Sequence, residues 1–265
     1  MNRLFYAMIS VLTLMSCATS YNIKGSSNVA TLDGHKLYLK VVANEELTDI
    51  DSCDVIHGQF LFSGTLDSTR MANIYMDQVS LLPLVLESGD IVVQLDNTQQ
   101  SISGTPLNDK LNIFMRSLDQ LQNESADLVH KHDQAIMDGN DMEEVTRQLI
   151  AQDEKIARQI DELLTQFVTD NFDNVLGPGV FMMMTAGYEV PVFTPWIEDI
   201  LSKASERFKS DPYVKAYCDA AQHNQQVMNG LAEPAQHPIT SAPGTIAGSP
   251  SALPTPNQMA KDSVR

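Results

Sequence analysis

Three cysteines, at positions 17, 53 and 218, are the residues best able to do covalent chemistry in this 265-residue chain. Their spacing offers neither a Cys-x-x-Cys redox pair nor a zinc-type cluster, so each is judged by its own surroundings. Cys53 falls in a predicted strand flanked by Asp51 and Asp54. Nearby negative charge disfavours the thiolate that nucleophilic attack and redox exchange both require. Packing is the expected role; a Cys53–Cys218 disulfide in an oxidising compartment is the alternative, and a catalytic thiol is a third reading.

Cys17 has a different setting. Met1-Asn2-Arg3 is a short positive start, and Leu4 to Met15 is a twelve-residue, mainly apolar run. A membrane-spanning helix needs roughly 20 such residues, so the run has a signal-peptide profile. It ends in Leu14-Met15-Ser16-Cys17, which resembles the bacterial lipobox, in which a small residue precedes a lipidated cysteine. Cleavage there makes Cys17 the first mature residue and removes only Arg3 among the charges, leaving a formal charge of −18. Several acyl chains on one cysteine suffice for stable anchoring. Ala18-Thr19-Ser20-Tyr21 carries no acidic cluster of the surface-export kind. A periplasm-facing lipoprotein of the cell envelope is therefore expected, on the outer membrane rather than the inner.

Other residue groups invite chemistry and have plainer explanations. His130 and His132 stand two apart on a predicted helix and point in different directions, as solvated positions do. Asp49, Asp51 and Asp54 lack the spacing and distal glutamate of a calcium loop and read as a polar strand edge. Met182, Met183 and Met184 form a soft, polarizable run suited to filling a core, with an interaction surface as the alternative and copper binding as a third reading. There is no nucleophile elbow, phosphate-binding glycine loop or zinc-protease helix motif, and no cofactor is expected. With 34 acidic residues against 17 basic, the chain is a poor partner for nucleic acid.

The elements that must position these residues follow from periodicity. From Tyr21 to about Ser103 short alternating runs predict strands: Leu37 to Val42, Ile50 to Val55, Gln59 to Gly64, Met71 to Met76, Leu82 to Leu86 and Ile91 to Leu95. Asp33-Gly34, His57-Gly58 and Ser88-Gly89-Asp90 punctuate them, at the spacing of a sandwich. The period then changes. Thr105 is a predicted N-cap with Pro106 at the first helical position. Leu107, Leu111, Phe114, Leu118, Leu121 and Leu128 form one stripe, with polar Ser125 at its remaining position. That stripe reads as intramolecular core, a dimer seam being the alternative. Asp138-Gly139-Asn140 breaks the run, and Asp141 with Glu144 predicts a capping box for a second helix carrying Val145, Leu149, Ile156, Ile160, Leu163 and Phe167. The two helices should pack as an antiparallel hairpin. Asn174 to Pro195 is rich in Gly, Pro and Met; Trp196 to Phe208 and Pro212 to Met228 predict two further helices. Six prolines among Ala, Ser, Thr and Gly beyond residue 229 predict a disordered tail.

The expected organisation is a signal peptide (1–16), an all-β domain (17–104), a helical region (105–228) and the tail (229–265). The fold class is α+β: an antiparallel β-sandwich-like domain, a long helical hairpin and shorter helices.

Several motifs in fixed order carry a family resemblance. They are Tyr21-x-Ile23-x-Gly25, Asp33-Gly34, Ile50-Asp51-Ser52, Gly58-Gln59-Phe60-x-Phe62-x-Gly64, Leu82-Pro83-x-x-Leu86-Glu87-x-Gly89 and Ser103-Gly104-Thr105-Pro106-Leu107-Asn108-Asp109. This series resembles the domain of unknown function that precedes a thioredoxin-like domain in exported thiol-disulfide interchange lipoproteins of Gram-negative bacteria. Lys209 to Ala216 is similar to the helical linker into that redox domain. Here the Pro-rich tail follows instead, and with no Cys-x-x-Cys the redox residues do not carry over. The expected function is a non-enzymatic binding or scaffolding module, partnered by the membrane through its lipid and by an unknown envelope protein. The alternative is an accessory role in thiol-disulfide exchange.

Overall fold

A computed structural model describes residues 19–43, 46–97 and 99–232. The signal segment, Cys17 and all but the first four residues of the Pro-rich tail lie outside the described residues. Eight strands come first: β1 (Ser20–Ser27), β2 (Lys36–Ala43), β3 (Glu46–Asp54), β4 (Gln59–Thr65), β5 (Arg70–Met76), β6 (Val79–Leu86), β7 (Gly89–Leu95) and β8 (Gln100–Ser103). Six helices of the described residues follow: α1 (Pro106–Met137), α2 (Met142–Asp170), α3 (Leu176–Thr185), α4 (Pro195–Lys203), α5 (Glu206–Lys209) and α6 (Pro212–Met228). This is the expected α+β arrangement.

The strands form two sheets, ordered β4-β1-β7-β8 and β3-β2-β5-β6. Alternation delivers Ile23, Phe62, Ile91 and Val93 from the first sheet, and Leu37, Leu39, Ile74 and Leu84 from the second, into one core. Each such side chain contributes about 1.5–3 kcal/mol over leaving it exposed. The antiparallel expectation fails at one pair: β1 and β7 run parallel, from Tyr21 opposite Gly89 to Ser27 opposite Leu95. β7 enters from the other sheet, so no hairpin fixes its direction against β1.

Two of the motifs are explained by cross-strand packing. β1 and β4 pair with Tyr21 opposite Gly64 and Gly25 opposite Phe60. A Cβ on Gly25 would fall inside the Phe60 ring, and one on Gly64 would sit 2.8 Å from Tyr21 Oη. Each glycine is thus the floor on which the opposite aromatic ring lies, which covers exposed backbone and pins the register.

The hairpin forms as the stripe predicts. Leu111, Phe114, Leu118 and Leu128 are buried, Leu107 and Leu121 are half-buried, and the Phe114 and Phe167 rings stack at 4.3 Å. Ser125, the polar residue of the stripe, donates to Asp153 Oδ1 of α2 at 3.0 Å. Of the predicted capping box only half forms: Asp141 accepts from Glu143 N, while Glu144 pairs with Arg147 and Gln148.

The later helices differ from expectation. Asn174 to Pro195 contains α3, which the glycines permit by letting it close on β5, since a Cβ at Gly179 would collide with Met71. Trp196 to Phe208 is broken at Ala204, which is extended (ψ 135°), because Ser205 caps a new turn by accepting from Phe208 N at 3.3 Å.

Candidate functional site

The Ser-Gly-Thr-Pro-Leu-Asn-Asp motif leads to a joint between sandwich and hairpin. Asn108 is fully buried in the first turn of α1 and pairs with the free edge of β6: its Oδ1 accepts from Val85 N and its Nδ2 donates to Val85 O, both at 2.8 Å. One turn later Asn112 Oδ1 accepts from Ile102 N on the edge of β8 at 3.2 Å. Two asparagines spaced i, i+4 therefore close the open edges of both sheets along one side. Thr105 is the N-cap residue, but its hydroxyl accepts from Asn108 Nδ2 and makes no capping bond. Glu87 takes that role from the β6–β7 turn, its Oε1 accepting from Leu107 N at 2.8 Å and Asn108 N at 3.2 Å. A negative charge at a helix N-terminus is favourable there.

The opposite side is closed by β3. Asp51 Oδ2 accepts from Ser63 N of β4 at 3.3 Å. Cys53 is half-buried, and burial, with Asp51 and Asp54 adding to it, pushes its thiol up to about 11. Desolvation is a larger cause than the flanking carboxylates on which the sequence argument rested. Cys218, on α6, is likewise raised, first by burial and then by Asp219. The two thiols are not bonded to each other in this structure. Cys53 is held against the sandwich edge and Cys218 among the helices.

The remaining sequence candidates separate. Asp49 pairs with Lys40 at 3.0 Å and Asp54 lies 3.9 Å from Lys36, so the aspartates of β3 each answer a different neighbour. Lys40 is itself held between the rings of Tyr38 and Tyr75, at 5.4 and 5.3 Å. His130 is exposed and His132 lies 3.6 Å from Asp133 on the hairpin. Met183 and Met184 pack against the core. Among the described residues no three of His, Cys, Asp and Glu converge as metal ligands would.

Two surfaces remain. One is an open trough of about 920 Å³ between the hairpin and α4, with Leu121, Leu163 and Trp196 along it and an Asp199–Lys203 pair at 2.7 Å on its rim. Partial burial raises the Asp161 carboxyl there. The other is the far half of the hairpin. The side-chain amide of Gln99, in the turn between β7 and β8, lies 3.2 Å from the Arg116 guanidinium, so by residue 116 α1 has already reached the end of the sandwich. The 21 residues from 117 to 137 extend about 30 Å beyond it. Past Leu121 and Gln159 only Leu128, Ala135 and Ile156 are buried in α1 and α2. Ile136 and Met137, at 54% and 80% exposure, crown this arm among Asp133, Asp138, Asp141 and Glu143. The sequence stripe revealed the inner face of the arm; its reach was missed, because reach depends on where the sandwich ends.

Residues 21–111 match a known domain family. Its description is Domain of unknown function (DUF4369). The DUF4369 match runs from β1 into α1, so it takes in both seams of the sandwich except Asn112, and ends before the arm. Among solved structures, a candidate cell adhesion protein from Bacteroides ovatus is similar at 18% identity and a TM-score of 0.21; the similarity covers 34% of this chain and 44% of that one. No curated protein matches the chain.

Proposed function

We propose that the chain is a non-enzymatic lipoprotein of the cell envelope, held by lipid on Cys17, facing the periplasm from the outer membrane, and working as a binding or scaffolding module. The observation that carries the proposal is the projecting arm. Two helices built far past the end of the sandwich gain nothing for its core, yet they hold apolar side chains at an exposed tip. The tip's chemistry defines its partner: an envelope protein with an apolar recess for Ile136 and Met137, rimmed by basic groups that answer the surrounding carboxylates. The resemblance to interchange lipoproteins leaves an accessory redox role as the second reading, and the raised Cys53 and Cys218 thiols weigh against it.

The test is site-specific photo-crosslinking in intact cells. A photoreactive residue at Met137 is expected to yield a defined adduct that a probe at Gln94, on the outer face of the sandwich, does not. The same adduct must survive Cys53→Ser/Cys218→Ser. Equal labelling from both positions sinks the arm as the contact surface, and loss of the adduct with the cysteines favours thiol exchange. Mass spectrometry of the N-terminal peptide, with Cys17→Ser as control, tests the anchor itself.

A further inference from the structure

From the position of Cys17 and the strand directions we infer that the base of the sandwich is a membrane-apposed surface, seated on lipid headgroups, and that the arm stands away from the bilayer. This rests on the lipidation of Cys17 proposed above. Folded structure begins almost at the anchor: Thr19 already pairs with Leu66, its hydroxyl donating to Leu66 O at 2.6 Å and its carbonyl accepting from Leu66 N at 2.8 Å. Cys17 precedes Thr19 by two residues, which span at most about 7 Å. A lipidated Cys17 therefore has no linker with which to lift the body off the surface.

The register says which end is held. Ser20 of β1 lies opposite Thr65 of β4, and Tyr21 lies opposite Gly89 at the start of β7. Among the described residues the end nearest the anchor thus includes Thr19, the Leu66 to Thr69 loop, the Glu87-Ser88 turn and the Ala43 and Glu46 ends of β2 and β3. Thr105 packs beside Gly89, so α1 starts at the same end. It then rises past Ile102 and, at Arg116, past the β7–β8 turn at the opposite end. The 32 residues of α1 amount to about 48 Å, so the tip stands about 50 Å from the headgroups. Among the described residues the base carries Glu46, Asp67 and Asp90 against Arg70, whose guanidinium donates to Ser68 of the base loop, so it has no net positive charge to draw it in and is apposed by its tether. The −18 formal charge opposes an arm lying along an anionic surface.

The test uses the full lipidated chain with Cys53→Ser and Cys218→Ser, reconstituted in phosphatidylcholine vesicles that contain headgroup spin-labelled lipid. A fluorophore is placed singly at Ser68→Cys (base), Gln94→Cys (sandwich side, near the far end) or Asp138→Cys (tip), all exposed positions. Quenching is expected to be several-fold stronger at Ser68 than at Gln94 and absent at Asp138. A flexible Gly-Ser insert of about 20 residues between Ala18 and Thr19, with an r.m.s. reach of about 25 Å, should abolish the difference. Equal quenching at all three sites in a chain whose mass shows the lipid overturns the orientation while leaving the anchor intact. A chain without lipid overturns both.

Discussion

Replacing Asn108 by leucine isolates the joint between sandwich and hairpin. The two side chains are of similar size, so the substitution changes hydrogen bonding far more than volume. It strands Val85 N–H and Val85 C=O, which face Asn108 in a buried position on the edge of β6. It also removes the bond to Thr105 Oγ1. An unsatisfied buried backbone group costs about 1–3 kcal/mol, so two of them cost about 4 kcal/mol in all. Whole-domain stabilities are about 5–15 kcal/mol, which makes this a large fraction. For a body of this size the loss corresponds to a fall in Tm of about 8–16 °C. Asn112→Leu is the matched control: it removes one part-buried bond of 3.2 Å and should cost about 1 kcal/mol. Thermal and urea unfolding should be followed by far-UV circular dichroism and by the fluorescence of Trp196, which is buried near Phe181 in the helical region. Both probes should shift together, because the joint couples the two regions. If Asn108→Leu is no more damaging than Asn112→Leu, the reading of Asn108 as the closure of β6 is wrong.

Gly25→Ala should destabilise the sandwich by about 1–3 kcal/mol through its collision with Phe60, with part of the loss recovered in Gly25→Ala/Phe60→Leu; urea midpoints of the single and double variants decide this. Alkylation of Cys53 by a neutral reagent should stay slow at pH 7 and accelerate only as pH approaches about 11, whereas a rapid reaction at neutral pH would revive the redox reading. Burial pushes Tyr217 up to about 12. The unfolded chain then ionises first, so the stability held by the neutral phenol is complete below pH 10 and is lost as pH rises from 10 to about 12. Tyr217→Phe should flatten that alkaline limb in unfolding titrations while costing about 1 kcal/mol at neutral pH for its bonds to Val192.

Much of the architecture was legible because it depends on local periodicity. Leu37, Leu39 and Val41 alternate, Leu111, Phe114 and Leu118 recur at helical spacing, and Asp138-Gly139 stops the first long helix; each pattern commits its segment regardless of what lies elsewhere. The motif order likewise marked the segment that matches DUF4369. What those motifs do was decided by the tertiary structure. Gly25 needs Phe60, Asp51 needs the Ser63 N–H, and Asn108 needs Val85, contacts between residues 12 to 35 positions apart that only the packing of the sheets creates. The parallel pairing of β1 with β7 and the capping of α1 by Glu87 are of the same kind, since a strand's partner and a helix's anion can come from distant chain. The proposal that Cys17 is an anchor comes from its flanking residues alone. The end of the molecule beside it, and the distance to which the hairpin rises from that end, follow only from strand direction and register.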